Sequence, residues 1–261
     1  MPAPPKIKVS GLSIGYPDRV IQHDLSFSVA SGAIFAIMGG SGCGKSTLLK
    51  AMIGLLRPTR GRIDVDDDDY WGASDARRTE IGRRFGVLFQ GGALWSGMST
   101  ADNVALPLRM LTALDEGSIG ELVRLKLSLV GLENDGDVMP DALSGGMRKR
   151  AGLARALALD PEILFFDEPS AGLDPIAARR LDDLIVDLRD GFGVTVVMVS
   201  HELSSLLGIC DSGIFLDADR KTAIAHGAPR ALLESCDDPT VKAFMNRARV
   251  PLQPDPAGVA P

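Results

Sequence analysis

Ile34-Phe35-Ala36-Ile37-Met38 runs straight into Gly39-Gly40-Ser41-Gly42-Cys43-Gly44-Lys45-Ser46, and from Lys45 a helical stretch continues to about Leu56. Five consecutive apolar residues read as a strand buried on both faces. A glycine cluster suits neither strand nor helix, so the order is strand, loop, helix. The loop fits G-x-x-x-x-G-K-[ST] in the setting that pattern requires. Its glycines let the backbone wrap a chain of phosphates and aim N–H groups at it. Lys45 supplies a point charge, and the Ser46 hydroxyl can hold Mg²⁺.

Upstream of this unit lie short alternating runs such as Leu25-Ser26-Phe27-Ser28-Val29, divided by turn signals at Gly11, Gly15 and Pro17. They predict antiparallel strands. Downstream, Arg62 to Val65 and Phe85 to Phe89 read as further strands, and Asp66 to Asp69 as a solvated acidic loop. Four adjacent carboxylates cannot converge on one ion. From about Gly91 to Asp160 the pattern is helical. Ile163 to Phe166, Pro175 to Arg189 and Val194 to Val199 then alternate as strand, helix, strand. Strands too apolar to be half-exposed predict a parallel sheet covered on both faces. Ser212 to Leu216 and Thr222 to Ala225 are expected edge strands, followed by helices near Ala228 to Ser235 and Pro239 to Arg247.

Two further stretches carry chemistry. Ile163-Leu164-Phe165-Phe166-Asp167-Glu168 delivers Asp167 at the C-terminal end of a strand, where α/β sheets place ligands. A carboxylate there suits Mg²⁺, directly or through a water. Glu168, one step on, suits polarising a water that attacks a phosphate. Leu143-Ser144-Gly145-Gly146-Met147 opens a helix, with Ser144 at the N-cap and two glycines allowing close approach. It is a second anion-binding helix terminus in one chain.

The bulk numbers fit a globular α/β chain: 261 residues, 45% hydrophobic, 24% charged. A net charge of -6 argues against nucleic acid as the main partner. Cys43, Cys210 and Cys236 have no metal-like spacing and are expected as reduced thiols. The N-terminus lacks the apolar stretch of a signal peptide, and no run approaches the roughly 18 apolar residues that span a bilayer. Any membrane role is therefore expected to come through a partner.

The order of these elements, with Gln90, Asp174 and His201 at fitting intervals, resembles the ABC ATPase family from about Ile7 to Arg247. The resemblance implies a P-loop NTPase (RecA-like) α/β core, an antiparallel β subdomain, and an inserted helical signature subdomain over about 91–160. One ABC ATPase domain over 1–247 and a flexible Pro-rich tail over 248–261 follow. By the same resemblance Gly39, Gly40, Ser41, Gly42, Cys43, Gly44, Lys45, Ser46 and Thr47 form the Walker A loop that holds ATP. Asp167 and Glu168 close Walker B, Gln90 is the Q-loop glutamine, and His201 the switch histidine. Ser144, Gly145 and Gly146 belong to the signature, Asp174 to the D-loop, and Tyr16 stacks on adenine. Mg²⁺ falls to Ser46, Gln90 and Asp167; Glu168, His201, Lys45 and Gln90 are the implied catalytic set. Because the signature of one subunit faces the Walker A loop of another, the resemblance implies a homodimer with two ATP molecules.

Three stretches depart from the general pattern. Met147 stands where the signature usually has glutamine, followed by Arg148-Lys149-Arg150; the Q-loop continues as FQGGALWSGMSTADNVALPLR, Phe89 to Arg109; and the C-terminal region reads IAHGAPRALLESCDDPTVKAF, Ile224 to Phe244. These look like the ATPases of Mla/Mce lipid-transport systems. That narrower resemblance implies integral-membrane permease subunits, lipid-binding MCE-type and accessory subunits, and a place on the cytoplasmic face of the inner membrane. Leu94 and Trp95 are expected near the permease, or packed inside the helical subdomain. The chemistry also admits an importer for a small polar solute. A soluble ABC ATPase acting on DNA or ribosomes is opposed by the lack of a long coiled-coil insertion or a second fused unit.

Overall fold

Every residue of the strand Ile34–Gly39 is buried, and strands flank it on both sides. A computed structural model describes residues 5–246. In chain order the elements are β1 (Pro5–Tyr16), β2 (Arg19–Ala30), β3 (Ile34–Gly39), α1 (Lys45–Met52), β4 (Arg60–Val65) and β5 (Asp68–Asp69). Then come α2 (Asp75–Gly82), β6 (Phe85–Leu88), α3 (Thr100–Leu111), α4 (Glu116–Leu129), α5 (Gly145–Ala156) and β7 (Ile163–Asp167). The last are α6 (Pro175–Phe192), β8 (Thr195–Val199), α7 (Leu203–Ile209), β9 (Ser212–Leu216), β10 (Ala223–His226), α8 (Pro229–Ser235) and α9 (Pro239–Met245). The expected tail over 248–261 lies outside the described residues.

One sheet has the order β10-β9-β3-β8-β7-β6, parallel except for β10. Consecutive residues of its strands face opposite cores, as the pleat requires. Leu164 and Phe166 join the core made with α3, α4, α5 and α6, whereas Ile163 and Phe165 join the core under α1 and the β1–β2–β4 sheet. Burying both faces is why β3, β7 and β8 read as unbroken apolar runs.

Four expectations are corrected. Gly11 and Gly15 lie inside β1, not at turns; β1 shifts register against β2 around both, and Gly11 has φ +55. A residue free to take positive φ lets an extra residue fit without breaking the ladder. α1 stops at Met52 rather than Leu56, because Gly54 turns left-handed (φ +87) and the Leu55 and Leu56 N–H groups fold back to the Lys50 carbonyl. β9 is an inner strand between β3 and β10, not an edge. The acidic run is not simply solvated. Asp66 and Asp67, at φ +47 and +68, make the two-residue turn of the β4–β5 hairpin, and Asp68 pairs with Arg77.

Asp66 also joins Lys6, Arg84 and Glu162 in a charge network that ties the antiparallel sheet to the starts of β6 and β7. Hydrogen bonds from Arg84 and then Lys6 hold the Glu162 carboxyl down to about 2 from 4.5. A depressed carboxylate contributes stability that is whole above the unfolded value and is lost as pH falls through the folded one. Tm is therefore expected to fall between pH 4.5 and about 2, and the Glu162→Gln variant to lose less over that window. Equal losses in thermal melts of both proteins would remove Glu162 as the cause. The side chain is half-exposed, so the effect at neutral pH is small.

Candidate active site

β3 ends on Gly39 with φ +144, and a side chain there would strike the Leu216 carbonyl and the Cys43 sulfur. The residue must be glycine for the chain to leave the sheet at this point. Gly40 and Gly42 lie on the open side, where a Cβ would meet nothing within 4 Å. Gly44, left-handed, then starts α1 without a side-chain cap and without an acidic residue in the first turn. The orphan N–H groups of that helix end are free to face an anion.

These residues line a cavity of about 620 Å³ together with Thr47, Gln90, Glu168 and His201. Lys45 is buried and its Nζ donates to the Gly39 and Gly40 carbonyls at 2.9 Å each, so the ammonium curls over the loop. Ser46 Oγ donates to Asp167 Oδ1 at 2.9 Å, bringing together residues 121 positions apart. His201 Nδ1 lies 2.8 Å from Glu168 Oε2. A carboxylate oxygen only accepts, so Nδ1 donates in this pair, and Nε2 lies 3.6 Å from Glu202 Oε1. Glu168 has φ +53, a backbone state that costs about 1–3 kcal/mol in a non-glycine residue. Cys43 is buried beneath the loop, and burial pushes its thiol up.

The remaining expected residues lie elsewhere. Ser144, Gly145, Gly146 and Asp174 line a separate cavity of about 640 Å³, with no phosphate loop in its wall. Ser144 caps α5, its Oγ accepting from the Met147 N–H at 3.2 Å. Asp174 caps α6, accepting from the Ile176 and Ala177 N–H groups at 3.0 Å. Tyr16, at the end of β1, is half-exposed and is not among the lining residues of the first cavity. Arg19 and Ile21, across the hairpin, line it instead, and Phe244 reaches it from α9. Leu94 packs partly into the helical core while Trp95 is 62% exposed, so the two neighbours divide between the readings open to them.

Sequence reasoning passed over Gln22. It is fully buried, and its Nε2 donates to the Cys43 carbonyl at 2.6 Å and the Asp217 carbonyl at 2.9 Å, pinning the phosphate loop to the end of β9. Alternation with Leu25, Phe27 and Val29 puts position 22 on the outward side, so no local pattern marked it; the register shifts between β1 and β2 turn it inward.

Comparison with known proteins agrees with this geometry. The family model "ABC transporter" matches residues 22–171, more than half of the chain. The intermembrane phospholipid transport system ATP-binding protein MlaF of Haemophilus influenzae is 45% identical over 231 residues, covering 88% of this chain and 87% of that one. The probable ribonucleotide transport ATP-binding protein mkl of Mycobacterium tuberculosis is 42% identical over 244 residues, covering 94% and 67%. Among solved structures, the dimeric post-hydrolysis state of the ATP-binding cassette MJ0796, bound to ADP and Pi, superposes with a TM-score of 0.78 at 27% identity, covering 85% and 98%. A phosphate loop, a capped signature helix and a carboxylate pair at the end of an inner strand, set in this sheet order, therefore have their explanation: the chain belongs to the ABC transporter family, as one of its ATP-hydrolysing subunits.

Proposed function

We propose that two copies of this chain hydrolyse ATP at their shared interface and drive a membrane permease that moves phospholipid or a related lipid. The observation that carries the paired reading is the division of the site between two cavities. Lys45, Ser46, Glu168 and His201 line one, with Asp167 hydrogen-bonded to Ser46 behind its wall, and Ser144, Gly145, Gly146 and Asp174 line the other. A head-to-tail dimer closes the first cavity of each copy with the second of its neighbour, and the dimeric MJ0796 cassette supports that arrangement.

In this pair the phosphate-loop N–H groups and Lys45 bind the β- and γ-phosphates. Glu168 takes a proton from the attacking water, and His201, hydrogen-bonded to it, faces the γ-phosphate. Ser144 and the Gly145 and Gly146 backbone complete the phosphate shell from the neighbour, and Asp174 lies at the junction of the two sites. Ser46, Asp167 and Gln90 present hydroxyl, carboxylate and carboxamide oxygens, the hard donor set that suits Mg²⁺. No group of three or more His, Cys, Asp or Glu side chains able to hold a metal exists among the described residues. When bound, Mg²⁺ neutralises charge on the phosphate oxygens.

The permease surface is assigned to a groove between α2–β6 and the helical layer, lined by Phe85, Phe89, Leu111, Arg155 and Leu159. Trp95, Met110 and Leu114 are exposed apolar side chains of the same helical layer. No helix among the described residues is long and apolar enough to cross a membrane. By its likeness to MlaF, the subunit is assigned to the cytoplasmic face of the inner membrane, carried there by the permease with MCE-type and accessory subunits.

Lipid as cargo is supported by the MlaF likeness and by Met147 and Gly92-Ala93-Leu94; a small polar solute is supported by the name of mkl. Isolating the chain with its membrane partner from native membranes separates the two. Bound phospholipid and lipid-stimulated ATPase activity are expected. A complex free of lipid whose ATPase responds to ribonucleotide or another polar solute would overturn the lipid assignment.

A further inference from the structure

α5 carries a lysine in an unusual place. Lys149, five residues after the Ser144 cap, is 6% exposed, and among the described residues no salt bridge reaches it. Its Nζ donates instead to three backbone carbonyls: Glu168 at 3.2 Å, Pro169 at 2.8 Å, and Ala171. These three belong to one turn, the one that follows β7 and bears the Glu168 side chain. Burying an ammonium is costly unless each proton finds an acceptor, and here all three do. Burial pulls the amine below the usual lysine range, and the nearby Glu168 carboxylate opposes that only in part.

The turn needs such a hold. Glu168 adopts φ +53, which a side-chain-bearing residue keeps only where its surroundings over-determine it. Two other bonds fix the main chain of this residue: its N–H donates to the Val199 carbonyl at 2.9 Å, and its carbonyl accepts from the Ala171 N–H at 3.3 Å. Neither reaches the Pro169 carbonyl, and proline has no N–H of its own to donate. Lys149 alone gathers the carbonyls of 168, 169 and 171 around a single point. The far end of α5 is fastened separately, by Arg155 to the Gly92 and Ala93 carbonyls, so the helix is a fixed mount for that point.

We infer that Lys149 is a positioning residue for hydrolysis, holding the turn after β7 so that the Glu168 carboxylate stays beside His201 and above the phosphate loop. The inference rests on the proposed role of Glu168 as the base. Lysine does this by hydrogen bonding rather than by charge, since its protons point at carbonyls and not at the carboxylate.

Full-length chain carrying Lys149→Met, Lys149→Gln or Glu168→Gln is compared with wild type for ATPase kcat, KM for ATP and Tm. Methionine keeps the length and apolar stem without a donor; glutamine keeps two N–H donors without the charge. Lys149→Met is expected to lower kcat by about tenfold or more, with KM within about twofold, since the ATP-binding groups are untouched. Lys149→Gln is expected to recover kcat to within about threefold of wild type. Wild-type kcat in Lys149→Met overturns the inference. So does equal slowing of the Met and Gln variants, which would make the charge the active feature. Should Lys149→Met not fold, Lys149→Gln decides: a folded protein slowed by about tenfold or more overturns it, and one slowed less upholds it. Normal turnover in Glu168→Gln would instead remove the base assignment, whatever the Lys149 variants do.

Discussion

Glu168→Gln is expected to bind ATP, to form the closed pair, and to release phosphate about a hundred to ten thousand times more slowly than wild type, the range a general base supplies. The substitution changes little else. Gln has the same length, and its carbonyl oxygen can still accept from the His201 Nδ1–H that Glu168 Oε2 meets at 2.8 Å. The left-handed backbone at 168 and the grip of Lys149 on its carbonyl are main-chain features and persist. What disappears is the ability to take a proton from water. Because hydrolysis is what releases closure, the variant should accumulate as an ATP-bound dimer. Phosphate release measured beside size-exclusion chromatography with and without ATP reads both effects. Turnover near the wild-type rate would move the base to another residue.

Lys45→Ala is expected to weaken ATP binding by about tenfold to a hundredfold, the worth of one hydrogen bond to a charged group. Lys45 Nζ now donates to the Gly39 and Gly40 carbonyls, the crest of the loop around which a phosphate chain would wrap. An ammonium placed there meets phosphate oxygens by a small rotation of its flexible stem. Alanine leaves the loop glycines and the α1 terminus intact, so residual affinity should remain. Equilibrium binding of a fluorescent ATP analogue gives the ratio directly. Unchanged affinity would contradict the role assigned to Lys45. ATP binding lost and turnover lost together in Lys45→Ala, against turnover lost alone in Glu168→Gln, would separate holding the nucleotide from cleaving it.

The sequence alone carried much that is local in the chain, but not the left-handed stop of α1 at Gly54 or the hairpin turn at Asp66 and Asp67. Strand, glycine loop and helix from Ile34 onward follow from an apolar run, residues that tolerate positive φ, and a helix start. The cap at Ser144 likewise follows from one residue and the N–H group three positions on, whereas the cap that Asp174 makes on α6 was not read from the sequence. Burial of the parallel sheet on both faces was legible because a strand covered twice has no polar side to display. Local rules failed where a partner strand intervened. Gly11 and Gly15 look like turns but sit at register shifts inside β1, and Ser212 to Leu216 looks like an edge but is an inner strand.

Only the tertiary structure decided which of these features share a cavity. Ser46 meets Asp167 across 121 positions, and Lys149 meets the turn of Glu168 across 19, through packing of α1 and α5 against a sheet whose strand order no local pattern states. It also lined the cavity over the phosphate loop with Arg19, Ile21 and Phe244, and it put Ser144 and Asp174 in a cavity of their own. Spacing along the chain sets what a residue can donate or accept. Which acceptor it reaches depends on how the helices dock on the sheet, and that is fixed by the burial of the two cores as a whole.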